Sequence, residues 1–106
     1  MIEFKRGVNE GDLLADARRL AWLCQNAEIG HRMEKNFLVT VTTSSKNVLD
    51  ARSEVIENML KDEFPVVCLK PEYVDLSEFK STKSKSQGKD LHAMVWEFNC
   101  SRFLDR

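Results

Sequence analysis

The fold is decided by Phe37-Leu38-Val39-Thr40-Val41-Thr42-Thr43, a stretch rich in β-branched residues that lies between two longer segments of helical periodicity. Alternation within this stretch predicts a β-strand with Phe37, Val39 and Val41 on one face. The flanking segments repeat apolar residues at every third or fourth position, as amphipathic helices do. A strand between two such helices indicates an α/β architecture.

Both helices have recognisable ends. The first is expected to begin after Asn9, a favourable N-cap, and to end near Gly30. The second is expected to follow Ser44 and Ser45 and to stop at Phe64-Pro65, because the residue before a proline avoids helical geometry. The two apolar stripes are Leu13, Leu14, Ala17, Leu20, Ala21 and Cys24 in the first helix, and Val48, Val55, Ile56, Met59 and Leu60 in the second.

Further strands are expected at both ends of the chain and in its middle. Residues 2–5 alternate between apolar and charged side chains, which predicts a short first strand. Residues 66–69 are apolar on both faces, which is typical of a central strand covered on both sides. Residues 71–79 fit a loop or one helical turn laid on the core.

The last strand, from Leu91 to Asn99, carries large apolar residues at alternate positions and is expected to run antiparallel to a neighbour. Trp96 and Phe98 share one face of it. A core position is the favoured interpretation of both, and the alternative is a face open to stacked nucleic-acid bases.

These elements predict a single small α/β (α+β) domain over residues 1–106. It has a mixed sheet of about four strands and two amphipathic helices, in the order β-α-β-α-β-loop-β. A flexible loop rich in lysine and serine is expected at residues 80–90. No Cys-x-x-Cys pair or other family signature occurs, so no family is assigned.

Composition narrows the class of protein. The net charge of −1 argues against a non-specific duplex-DNA binder, which carries a basic excess. No apolar run approaches the roughly 20 residues that span a bilayer, and the first residues lack a signal-peptide core. The widely spaced Cys24, Cys68 and Cys100 do not resemble a disulfide framework, and Cys24 and Cys68 are expected as core thiols. We therefore expect a cytoplasmic protein that makes no membrane contact.

No motif for catalysis, metal binding or cofactor binding is present, so no catalytic residue, metal or cofactor is predicted. The chain has no nucleophile elbow and no glycine-rich phosphate loop. An enzyme assembled by the fold from scattered residues is the remaining alternative. Its candidate residues are His31, His92, Glu97 and Cys100.

Trp22 is expected on the side of the first helix opposite the apolar stripe. Arg18, Arg19 and Asn26 are its neighbours there. An outward tryptophan flanked by arginines has the composition of an interface hot spot. The alternatives are a second covering layer over the helix, or a local cation–π contact between Trp22 and Arg18.

The segment at residues 80–89 holds no acid and no apolar residue. A plain solvated loop, an arm that contacts phosphates, and a segment that orders on an acidic protein all remain open. The cations concerned are Lys80, Lys83, Lys85 and Lys89.

Together these features favour a non-enzymatic protein-binding module: an adaptor, inhibitor or regulator of a larger enzyme or complex. Another protein is the expected partner, contacted through Trp22, Arg18, Arg19 and Asn26. The alternatives are a nucleic-acid or ribonucleoprotein binder that uses the lysine segment, and a small enzyme. Self-association is left open.

Overall fold

The computed structural model of the chain describes residues 2–26, 35–80 and 88–99, with the backbone alone at residues 77, 79 and 80. These residues form a mixed four-stranded sheet and two helices in the predicted order. The elements are β1 (Ile2–Arg6), α1 (Glu10–Asn26), β2 (Lys35–Thr42), α2 (Lys46–Glu63), β3 (Cys68–Lys80) and β4 (Asp90–Asn99).

The strands lie in the order β1-β2-β4-β3. β1 runs parallel to β2, and β4 runs antiparallel to both β2 and β3, as predicted for the last strand. Both helices pack on the same face of the sheet. The Cys24 thiol of α1 lies 3.5 Å from the Phe98 carbonyl, and the Trp96 indole N–H donates to Ser53 of α2 at 2.7 Å.

The helix boundaries follow the capping signals where they are described. The Asn9 side chain accepts a hydrogen bond from the Asp12 N–H at 3.0 Å, which caps the first turn of α1. β1 ends at Arg6, directly before Gly7, whose φ of +82° lies in the left-handed region that favours glycine. α2 occupies the predicted interval between Ser45 and Phe64, although the Ser45 side chain makes no capping hydrogen bond. The predicted end of the first helix near Gly30 lies outside the described residues.

The core fills the space between the helices and the sheet. Trp96 and Phe98 of β4 are fully buried, and they meet Leu20 from α1 and Leu49 and Ile56 from α2 in one apolar cluster. The core interpretation of Trp96 and Phe98 is therefore confirmed. The alternative of a base-stacking platform on this face is wrong, because the two helices cover it.

The interpretation of residues 66–69 as a central, doubly covered strand is wrong. β3 begins at Cys68, lies at the edge of the sheet and pairs with β4. It also includes residues 71–79, where a loop or helical turn was predicted. β4 inserts between β2 and β3, and the helices cover one face of the sheet. Cys68 is consequently exposed rather than a core thiol, whereas Cys24 is buried as expected.

β2 buries its more polar face and leaves its more apolar face uncovered by the helices. Asn36, Leu38, Thr40 and Thr42 are buried under the helices, and the face with the apolar residues points away. Each of the three polar side chains makes a hydrogen bond, although Asn36 Oδ1 is buried without a partner among the described residues. Asn36 donates to the Cys24 sulfur at 2.9 Å, Thr40 donates to the Gly7 carbonyl at 2.6 Å, and Thr42 accepts the Ser44 N–H at 3.1 Å.

Candidate protein-interaction surface

Trp22 lies on the outer surface of α1, as the helical periodicity predicts. α1 buries residues spaced three and four apart, including Leu13, Leu20 and Cys24, against the sheet. Trp22 projects from the opposite side and is 55% exposed. For so large an apolar side chain this is a substantial uncovered area, and the neighbouring helix α2 does not enclose it.

Arg18 is fixed beside Trp22 by α2. Its Nε lies 3.1 Å from Glu63 Oε1, and its Nη2 lies 3.0 Å from Glu63 Oε2, which is a two-point ion pair between the helices. The hydrogen bonds from Arg18 to Glu63, and the negative charge of the Glu63 carboxylate, raise the pKa of Arg18 above its ordinary value. The two-point contact gives the guanidinium a defined orientation.

Arg19 is fixed on the other flank by β1 and by its own helix. Its Nη2 lies 2.7 Å from Asp16 Oδ1 and 2.9 Å from Glu3 Oε1. The Asp16 side chain is only 9% exposed and also pairs with Lys5 at 3.3 Å. Sequence reasoning did not single out Asp16, although its position between Leu13 and Ala17 in the apolar stripe marks it as an acid that needs a partner.

Asn26 completes this group of residues. Its side-chain amide donates to the Trp22 carbonyl at 3.0 Å in the last turn of α1. We call Trp22, Arg18, Arg19 and Asn26 the α1 patch. An exposed indole between cations that are already held by carboxylates resembles the anchor and polar rim of a binding hot spot. Glu63, Asp16 and Glu3 each place a carboxylate oxygen within 3.0 Å of these arginines.

The lysine segment falls largely outside the described residues. Lys80 is the last residue of β3 and pairs in register with Asp90 of β4. Lys89 is exposed immediately before β4. Lys83 and Lys85 are not described. The phosphate-contacting role of these four residues remains a prediction.

The sheet face opposite the helices has no layer over it among the described residues. Rows of side chains run across it in register, such as Ile2–Phe37–Glu97 and Phe4–Val39–Val95. We call this surface the open sheet face. Its apolar residues are most exposed at the β1 edge, where Ile2 is 63% and Phe4 is 72% exposed.

Of the four candidates for catalysis, the two that lie within the described residues, His92 and Glu97, are on opposite faces of β4. His92 is half-buried, and its Nδ1 lies 2.7 Å from the Tyr73 hydroxyl. Glu97 projects from the open sheet face and pairs with Lys35 at 3.7 Å. His31 and Cys100 lie outside the described residues, so the enzyme alternative remains an untested prediction. Among described residues, no three His, Cys, Asp or Glu side chains cluster as metal ligands would.

No protein-family model matches this chain, and no curated protein matches it either. Within the described residues, neither α1 nor α2 is both long and apolar enough to cross a membrane.

Proposed function

We propose that this chain is a small protein-binding module that contacts its partner through the α1 patch. The observation that carries the proposal is the 55% exposure of Trp22 on a helix whose opposite side is fully packed. Tryptophan is the residue type most enriched in interface hot spots, and it contributes most where a partner pocket removes it from water.

The flanking contacts support the same proposal. Arg18 and Arg19 are held by Glu63, and by Asp16 and Glu3, before any partner arrives. Because these two arginine side chains are already ordered, they lose little conformational entropy when a partner binds. The best-fitting partner is a protein with an apolar pocket for the indole and polar groups around its mouth. Such a module would act as an adaptor, inhibitor or regulator, in the cytosol, where its cysteines stay reduced.

The first test compares Trp22→Ala with the wild type as bait for a partner from lysate, followed by titration calorimetry with the purified partner. Loss of a hot-spot anchor weakens binding by about 30-fold or more. Val74→Ala is the matched control, because Val74 is also apolar and 37% exposed but lies on β3, away from the α1 patch. Equal affinity of Trp22→Ala and wild type for the partner would contradict the proposal.

Salt dependence separates this proposal from the nucleic-acid alternative. A contact centred on an indole in an apolar pocket keeps its affinity between low and moderate salt. Binding through lysine–phosphate contacts loses affinity steeply over the same range. A salt-sensitive complex with nucleic acid, abolished when Lys80, Lys83, Lys85 and Lys89 are replaced by glutamine, would favour the alternative.

A further inference from the structure

We infer that the outer edge of β1 pairs with β1 of a second copy of this chain, antiparallel and centred on Phe4. This interaction is separate from the α1 patch and goes beyond the proposed function. It would join two four-stranded sheets into one sheet of eight strands. The inference rests on the exposure, hydrogen-bonding direction and charge pattern of β1.

Exposure along the open sheet face points to a missing neighbour at β1. Phe37 of β2 has a strand on each side and is half-buried. Phe4 projects from the same face but has a strand on one side, and it is 72% exposed. Ile2, its neighbour along β1, is 63% exposed. An additional strand beside β1 would give Phe4 and Ile2 the flanking contacts that Phe37 already has.

The peptide groups of β1 are oriented for such pairing. The Lys5 carbonyl points toward β2, since it lies 3.1 Å from the Thr40 hydroxyl, and the Gly7 N–H donates to the Val41 carbonyl at 3.5 Å. Successive residues of a strand direct their peptide groups to opposite edges. The N–H and C=O groups of Ile2, Phe4 and Arg6 therefore point to the outer edge, where no strand of the described residues pairs with them.

The sequence of β1 complements itself in one register. Antiparallel pairing about Phe4 sets Phe4 opposite Phe4 of the second copy, and Ile2 opposite Arg6. It also sets Glu3 opposite Lys5 on the helix-covered face, so opposite charges meet twice across the interface. The residues with outward peptide groups face one another, as hydrogen-bonded antiparallel pairs require. A strand of unrelated sequence would place opposite charges beside Glu3 and Lys5 only by chance.

The other sheet edge is protected, which leaves β1 as the better pairing surface. β3 carries Pro71, which lacks an N–H, and it exposes Lys70 and Glu72 beside that proline. Proline and charged side chains are the devices that keep edge strands from pairing. β1 has no proline, and its Glu3 and Lys5, which also contact Arg19 and Asp16 of α1, are opposite in sign and therefore attract their counterparts in a second copy.

The test is sedimentation velocity of the full chain over a range of concentrations. A five-residue strand pair buries a small interface, so we expect a reversible dimer with a dissociation constant on the order of micromolar. Phe4→Pro removes an outward N–H without removing a bond to β2, and it should weaken dimerisation by about tenfold to a hundredfold. Phe4→Val, which keeps the N–H, and Trp22→Ala, which alters the opposite surface, should keep the dissociation constant of the dimer within about threefold of the wild-type value.

Cross-linking locates the interface. In a Cys68→Ser, Cys100→Ser background, Phe4→Cys should form a disulfide-linked dimer under mild oxidation, because directly opposed residues lie about 5.5 Å apart. Val74→Cys, on the protected edge strand, should not. A protein that stays monomeric at millimolar concentration, or a dimer that Phe4→Pro leaves unchanged, would overturn the inference. Neither result would affect the test of the α1 patch with Trp22→Ala.

Discussion

At the scale of single residues, the fold depends on polar groups in the core having specific partners. Trp96 is fully buried, and its indole N–H donates to Ser53 Oγ at 2.7 Å. Ser53 in turn donates to the Leu49 carbonyl one turn earlier in α2 at 3.0 Å. The serine therefore lets the largest core side chain bury its only polar atom.

Replacing Ser53 by alanine tests this contact. The variant leaves the Trp96 N–H without its partner in an apolar environment, and it should lower the free energy of unfolding by about 1–3 kcal/mol. Chemical denaturation followed by circular dichroism measures the change. Ser53→Thr keeps a hydroxyl and serves as the control. A Ser53→Ala protein as stable as the wild type would show that the hydrogen bond contributes nothing.

Tyr73 gives a second prediction at this scale, because it is the only tyrosine in the chain. Partial burial raises its pKa, the nearby Asp75, Asp50 and Asp90 add to the increase, and Lys46 opposes it. The neutral phenol is therefore favoured in the folded state. The stability gained from the neutral Tyr73 phenol is fully present below the ordinary tyrosine pKa of about 10. It is lost as the pH rises through the higher pKa of Tyr73 in the folded state.

The measurement is an alkaline titration of tyrosinate absorbance, with circular dichroism to identify the pH range in which the protein stays folded. We expect a midpoint above that of a free tyrosine peptide measured alongside. In denaturant the two midpoints should coincide. A folded-state midpoint equal to that of the peptide would contradict the account of the Tyr73 environment.

At the scale of elements, periodicity predicted both helices, but in α2 it placed the half-buried Val48 and Val55 in the apolar stripe and left out the fully buried Leu49. The sheet was harder to predict. Alternation correctly placed Phe37, Val39 and Val41 on one face of β2, but polarity alone would bury that face. The structure buries the other face, because Asn36 and Thr40 find hydrogen-bond partners in Cys24 and Gly7. Cys24 lies in α1 and Gly7 directly follows β1, and the sequence of β2 alone does not show that either residue lies beside it.

β3 shows a second reason why a local sequence pattern does not determine the arrangement of the sheet. The apolar run at residues 66–69 resembles a central strand, yet its position in the sheet depends on where β4 inserts. That choice is made by long-range pairing between two strands separated by the lysine segment. The sequence can therefore predict that β3 and β4 exist, but it does not predict that β3 forms an edge.

At the scale of the whole molecule, two surfaces that expose large apolar side chains lie on opposite sides of the described part of the chain. The α1 patch is on the helical layer, and the open sheet face, with the β1 edge, is on the other side. Trp22 was predictable from helical geometry, whereas the exposure of Phe4 and Ile2 was not, because it follows from strand order. If two copies pair through β1, the α1 patches of both lie on one side of the joined sheet. A partner with two pockets would then gain affinity through bivalent binding.

The most direct test of the central claim, that Trp22 serves binding rather than folding, is thermal and chemical unfolding of Trp22→Ala beside Leu20→Ala. Leu20 lies two residues away on the same helix and is fully buried. We expect Trp22→Ala to stay within about 0.5 kcal/mol of the wild type, as surface substitutions do, and Leu20→Ala to lose about 2–5 kcal/mol. If Trp22→Ala is destabilised as much as Leu20→Ala, Trp22 belongs to the core and the α1 patch is not a binding surface.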